Sequence, residues 1–223
     1  MTSWSIDHRA GAATELFAGD PLASLGERSV CVRVVDAPTV VLGSAQPDSV
    51  VDVAAAQSLG VTVVRRRSGG GAVWLDPTSI VWLDVVVPAG DVLWRADVGE
   101  AFWWLGEALV VAIGGAAVVH HGAMVASPWS PLVCFAGLGP GEVRVGTRKV
   151  VGIAQKRTRL GALFQVGVLR SWDPTTLLEC LAVPARDRLR AYEALRDVCA
   201  GVSMSVSADA LVEAIVTAAS PRR

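Results

Sequence analysis

Lysine is almost missing from this chain. Among 20 basic residues in 223, only Lys149 and Lys156 are lysines; the rest are arginines. Where any cation serves, the sequence uses arginine, so each of the two lysines raises the question of whether its site needs a compact ammonium in place of a planar guanidinium or holds a lysine by chance. Net charge is nearly missing as well, since 20 basic against 21 acidic residues leave −1. No global field recruits nucleic acid or an anionic membrane, and any anion must be held locally. Residues 1–30 lack a basic start followed by an apolar block, so no signal peptide is expected. The most apolar region, 98–119, is interrupted by Glu100, Glu107 and Gly114-Gly115, so no membrane-spanning helix is expected either. The cysteines (Cys31, Cys134, Cys180, Cys199) show no CxxC spacing and no neighbouring histidine cluster. They read as reduced thiols of a cytoplasmic protein, not as a metal site or a disulfide frame.

What is present is apolar: 52% of residues, against 18% charged. That excludes a disordered chain and supplies enough material for a large core. The patterning predicts an N-terminal helix over 8–25, strands at 29–35 and 39–43, and a helix from Asp48 to Leu59 closed by Gly60. Strands follow at 61–65, 71–75 and 79–87, the last so continuously apolar that both its faces should be covered. Val98, Ala101, Phe102, Leu105, Ala108, Leu109 and Ala112 form one stripe of a helix over 97–113. Further strands are expected at 116–120, 131–135, 142–145, 148–156 and 162–169, with Gly146-Thr147 as a hairpin turn. Helices complete the chain: a short one opened by Pro174, one over 184–200, and one from Ser207 or Asp209 to Ser220-Pro221. Strands and helices without regular alternation argue for an α+β fold on a central mixed, largely antiparallel sheet flanked by helices. One domain over 1–223 is expected, with a core at about 30–170 and a helical tail at about 174–220.

The stretch "VTVVRRRSGGGAVWLDP", 61–77, breaks this pattern. Charge and backbone freedom sit where a sheet should simply turn. It matches neither GxGxxG nor a P-loop, and a strand rather than a helix follows it. Removing side chains at Gly69, Gly70 and Gly71 lets backbone N–H groups approach a ligand and form an anion-binding concavity. Period two sets Arg65 and Arg67 on one face and Arg66 on the other, so at least one arginine can turn inward. A phosphate or carboxylate pocket fits, and so does a solvated surface turn. The second informative segment is "GEVRVGTRKVVGIAQKRTRLGALFQVGVL", 141–169. Here Lys149 enters an apolar strand directly after a turn, and a lysine there must be paired or functional. Gly152 and Ala154 share the other face of that strand and leave room for a ligand or a closely packed element.

"RRRSGGGAV" followed by "RKVVGIAQKR" resembles the biotin/lipoate ligase catalytic-domain family, in its lipoate–protein ligase and lipoyl-pathway octanoyltransferase branches. "VVLGSAQ", 40–46, is similar to the family's upstream Leu-Gly-x-x-Gln strand end. The resemblance covers roughly residues 30–170 and implies a mixed sheet, flanking helices and a tunnel for an octanoyl-length acyl chain. It implies that Arg66, Ser68, Gly69, Gly70, Gly71 and Ala72 line the acyl and phosphate side of a pocket, with Lys149 beside the acyl carbonyl. A compact ammonium there would stabilise charge as a tetrahedral intermediate forms. Lys156, beside Arg157 and Arg159, reads as a solvated cation or a contact for an acidic partner.

Two chemistries share that scaffold. A ligase would activate lipoate or octanoate with ATP and Mg as an acyl-adenylate, then acylate a lysine of an apo lipoyl-carrier domain. An octanoyltransferase would need no cofactor: it would take the acyl group from acyl carrier protein onto Cys134, then pass it to the same kind of lysine. Cys134 resembles the nucleophile position of one transferase branch, and reads equally well as a small core residue. The ligase-like reading is the first expectation, the Cys134 transferase the second, and a non-catalytic homologue that only binds lipoate or a carrier the third. Two departures stand out. Leu75-Asp76 replaces the family's His-Asp, and Gln165-Val166-Gly167 stands where a His-His-Gly is often found. His120 and His121 read as strand-end residues. Only a short segment follows residue 169, without the accessory domain of many full-length ligases, which fits a transferase or a ligase with a separate subunit.

Overall fold

A computed structural model of the chain describes residues 3–23 and 26–218. Its largest element is a seven-stranded sheet ordered β1-β2-β6-β10-β9-β8-β7. The strands are β1 (Trp4–Gly11), β2 (Arg28–Val35), β6 (Ile80–Pro88), β7 (Ala117–Val119), β8 (Val143–Val145), β9 (Arg148–Arg157) and β10 (Gly161–Leu169). Only β1 and β2 run parallel; the other neighbours are antiparallel. A second sheet of three strands is ordered β4-β3-β5, from β3 (Thr39–Leu42), β4 (Thr62–Arg65) and β5 (Val73–Leu75). The expected α+β architecture is therefore the one observed.

Period two sorts the large sheet into two faces. One carries Val30, Val32, Leu83, Val85, Val166 and Val168, packed against Leu105 and Leu109 of α3 (Trp103–Ile113) and Leu211 and Ile215 of α6 (Ala208–Ala218). The other carries Ile80, Trp82 and Leu169, packed against Val41, Val73 and Leu75 of the small sheet and against Phe135. This explains the unbroken apolar run of β6, which is covered on both sides.

Several elements differ from the patterning. The helix expected over 8–25 is not formed: residues 8–11 are the end of β1, and turns follow residue 16. Asp7 and Arg9 lie side by side, with Nε and Oδ2 2.6 Å apart. Residues two apart meet on a strand and not on a helix, and only a single turn, α1 (Ala13–Leu16), is helical. The helix expected from Asp48 divides: a 3₁₀ turn covers Asp48–Val50, and Asp52 caps α2 (Val53–Ser58) by accepting from Ala55 N–H at 3.0 Å. The strand expected over 131–135 reduces to one parallel bridge, Ala72 to Val133, followed by a 3₁₀ turn at Cys134–Ala136. In the tail lie α4 (Thr175–Cys180) and α5 (Ala185–Leu195) before α6. Ser207 caps α6, its Oγ accepting from Ala210 N–H at 3.1 Å, whereas the Ser220-Pro221 stop lies outside the described residues.

Candidate functional site: a glycine loop, a thiol and a buried ammonium

The three arginines of 65–67 part company. Arg65 donates to the carbonyls of Gly43 (2.7 Å) and Gln46 (2.5 Å) and pairs with Asp48, tying the end of β4 to the end of β3. Arg67 turns outward and donates to the Ala18 and Gly19 carbonyls. Arg66 points inward and is 2% exposed. Its Nη1 donates to Val41 O at 3.2 Å, its Nε to Ser68 Oγ at 3.2 Å and its Nη2 to Gly69 O at 2.5 Å. Nη2 also faces Cys134 Sγ at 3.8 Å. Burial pushes this guanidinium below its ordinary range, and the neighbouring thiol works in the opposite direction.

The glycines let a second segment close on this one. Ala72 N–H donates to Leu132 O at 2.8 Å and Cys134 N–H to Ala72 O at 3.0 Å, which clamps the thiol segment to the loop. A Cβ on Gly71 would fall 2.7 Å from the backbone nitrogen of Cys134, and Gly70 adopts φ +95°, so neither position tolerates a side chain without strain. Gln46, the last residue of the upstream motif, holds the same segment by donating to the Pro131 and Leu132 carbonyls.

Lys149 supplies the third component. It is 3% exposed, and its ammonium meets Glu142 Oε2 at 2.6 Å, Gly137 O at 2.9 Å and Cys134 O at 3.3 Å. Those contacts match the three donors an ammonium has. The Phe135 ring lies 5.0 Å below it. Burial opposes the charge, but the Glu142 carboxylate together with the Cys134 and Cys199 thiols outweighs it, so the Lys149 pKa lies above its ordinary value. Glu142 also accepts from Gly139 N–H at 2.6 Å and Ile153 N–H at 3.0 Å, fastening the loop after Cys134 to β9. The Lys149 backbone is held by the tail: its N–H donates to Val198 O at 3.0 Å and its carbonyl accepts from Ala200 N–H at 3.1 Å.

The floor is set by register. Gly152 pairs with Gly167, which pairs with Trp82, which pairs with Arg33; one row further, Ala154, Gln165, Asp84 and Cys31 stand in line. The paired glycines leave a trough in the sheet, and the Phe135 ring fills it, its Cζ 3.1 Å from where a Gly152 Cβ would stand. A gap of about 10 Å³ remains among Arg66, Cys134, Phe135, Gly152 and Ala154.

The residues picked out from sequence thus meet at one place: Arg66, Ser68, Gly69, Gly70, Gly71 and Ala72 on one wall, Cys134 and Lys149 on another, Gly152 and Ala154 on the floor. Lys156 lies elsewhere, paired with Asp20 at 2.8 Å. His120 contacts Ala123 O and His121 contacts Glu107. Cys31, Cys180 and Cys199 are free thiols, and burial pushes Cys199 up to about 12. Patterning missed Glu142, Asp84 and Arg33; an acid inside "SIVWLDVVV" was the available signal.

Comparison with known proteins agrees with this fold. A profile of the lipoyl protein ligase A/B catalytic domain matches residues 22–218. The octanoyltransferase LipM of Kyrpidia tusciae is 32% identical over 248 residues, covering 100% of this chain and 89% of the relative. Among solved structures, the bipartite lipoate protein ligase of Thermoplasma acidophilum superposes with a TM-score of 0.72 at 18% identity, over 98% of this chain and 82% of that one. A lipoate-protein ligase A bound with ATP gives 0.70 at 19% identity, over 97% and 83%. The chain belongs to the lipoyl protein ligase A/B catalytic-domain family and is a lipoate–protein ligase-like, acyl-attaching enzyme.

Proposed function

We propose that this enzyme delivers an octanoyl or lipoyl group to a lysine of an apo lipoyl-carrier domain in the cytoplasm, and that the acyl group travels through a thioester on Cys134. One observation carries the route: the Cys134 sulfur faces a buried guanidinium while the Lys149 ammonium bonds the same residue's carbonyl. An attacking sulfur carries negative charge, and Arg66 is the cation that meets it. In the first step the sulfur adds to the thioester carbonyl of octanoyl-carrier protein. A new S–C bond forms, the carrier's S–C bond breaks, and the carrier thiol leaves. In the second, the lysine amine of the lipoyl domain attacks the enzyme thioester, an amide forms and the Cys134 thiol is regenerated. Lys149 stabilises the oxyanion of both tetrahedral intermediates. Its longest hydrogen bond, to Cys134 O, is the one the acyl oxygen takes over. The acyl chain lies along the Gly152–Gly167 trough, in space now filled by Phe135. The working unit is the whole chain, because the tail holds the Lys149 backbone.

A ligase route through an acyl-adenylate is the second reading, favoured by the exposed backbone at Gly70 and by the ATP-bound relative of the same fold. ATP, with Mg, would then supply the activating phosphate, which Gly69–Gly71 and Arg66 would hold. Arg66 fits this role less well, because three of its five donors already go to Val41 O, Ser68 Oγ and Gly69 O and Nη2 also faces the Cys134 sulfur. A separate accessory subunit would be its natural partner.

The two routes separate on one experiment. Octanoyl-carrier protein without ATP should add one octanoyl mass to the enzyme; hydroxylamine should remove it, and Cys134→Ser should abolish it. Added apo lipoyl domain should then take up the group. If the domain is acylated only by octanoate plus ATP, with AMP and pyrophosphate released and Cys134→Ser as active as wild type, the ligase route replaces the thioester.

A further inference from the structure

Beneath the glycine loop runs a line of buried polar groups that the route above leaves unused. Asp84 is 1% exposed in the middle of an otherwise apolar strand, where a carboxylate must be paired. Its Oδ1 accepts from Trp82 Nε1 at 3.0 Å and from Gln165 Nε2 at 3.1 Å, and its Oδ2 lies 2.5 Å from Arg33 Nη2. Burial pushes its carboxyl above the ordinary value, while Arg33 pulls the other way. Only donors face it, which is the environment of a carboxylate and not of an acid. On the far side, Gln165 Oε1 accepts from both Ser68 N–H (3.0 Å) and Ser68 Oγ–H (2.9 Å). Having given its proton to Gln165, Ser68 Oγ accepts from Arg66 Nε at 3.2 Å. The other end of that guanidinium faces the Cys134 sulfur.

The line has a direction. An amide has one donor end and one acceptor end, and a carboxylate only accepts. Asp84 therefore selects which end of Gln165 meets the loop. Reversed, an NH₂ group would confront both donors of Ser68. We propose that Asp84 and Gln165 are positioning residues, which through Ser68 hold the Arg66 guanidinium in register with the Cys134 sulfur. This deepens the thioester reading and rests on it. The other polar groups around Cys134 act elsewhere: Lys149 on its carbonyl, Glu142 on Lys149, and Cys199 on the Phe135 carbonyl.

The test uses two substitutions of matched purpose at one position. Gln165→Met keeps length but transmits nothing; Gln165→His keeps one donor and one acceptor on a neutral imidazole. The readouts are the rate of Cys134 alkylation by iodoacetamide, assigned by peptide mass, and kcat and KM for octanoyl-carrier protein. Gln165→Met should slow alkylation and lower kcat by about tenfold with KM nearly unchanged, the size expected when the one hydrogen bond from the charged Arg66 Nε to Ser68 Oγ is lost downstream of it. Gln165→His should restore most of both. Should Gln165→Met fail to fold, the double variant Arg33→Met with Asp84→Leu removes both buried charges together, leaves Gln165 Nε2 without its acceptor, and should give the same slowing. Wild-type alkylation in a folded Gln165→Met or in the double variant overturns the proposal, and so does a His variant as slow as the Met one. Alkylation needs no acyl donor, so an absent thioester would sink the transfer route while these rates still report on the relay.

Discussion

Lys149 and Glu142 form a pair with both side chains within 6% of full burial. A lone buried charge is costly, so Glu142→Gln should destabilise the fold by about 3 kcal/mol, the lower end for breaking such a pair. Lys149→Arg keeps the charge but moves it, because a planar fork cannot reach Gly137 O, Cys134 O and Glu142 from one point. The expected result is a protein that still folds, with a lowered melting temperature and acyl transfer down on the order of 100-fold, read by acceptor mass below that temperature. Normal turnover would remove Lys149 from the site. Gly71→Ala places a Cβ against the Cys134 backbone with no flexible neighbour to yield. Cys134 alkylation and thermal melting should both change. These residues were legible because each violates a local expectation: a lysine in an arginine-rich chain, a glycine run between strands. Glu142, Asp84 and Gln165 were harder to see, since their meaning depends on cross-strand partners that only the register supplies.

Among the elements, β9 and β10 set the width of the site. Gly152 and Gly167 face each other across the ladder, so one added side chain narrows the trough from either strand. A Gly152→Val enzyme should accept short acyl-carrier thioesters and reject octanoyl, measured as adduct mass across a chain-length series. Equal labelling by all lengths would show that the acyl chain lies elsewhere. The β5–β6 connection predicts a pH effect. Burial works against the Asp76 carboxylate, but the hydroxyls and backbone N–H groups of Ser79 and Thr78 outweigh it and hold its pKa below 3.8. This stabilisation is present above pH 3.8 and is lost as pH falls through the folded-state pKa. An Asp76→Asn variant should therefore show a flatter acid limb in urea unfolding than the wild type. Strand positions in β2 to β10 were readable from short apolar, β-branched runs between turn signals, whereas β1 was not. Its alternation is weak, and what makes it a strand is the parallel ladder it shares with β2.

At the scale of the molecule, the tail that carries no recognisable motif proves structural. Leu211, Val212 and Ile215 close one core over the large sheet, and Val198 to Ala200 add a short strap alongside Lys149. A chain truncated after Ser171 should lose cooperative melting and all acyl transfer; an active truncation would mean that the strap is dispensable. The motif-bearing region hid this, because a strap that bonds through backbone groups leaves no side-chain signature. The same strap bears on biosynthesis. Chains emerge from the ribosome N-terminal end first, and both halves of the glycine-loop motif are out long before residue 200. Until that residue arrives, the peptide N–H and C=O of Lys149 have only water as partner. A nascent chain therefore carries the glycine loop, Cys134 and Lys149 while still lacking the strap that holds the Lys149 backbone in place.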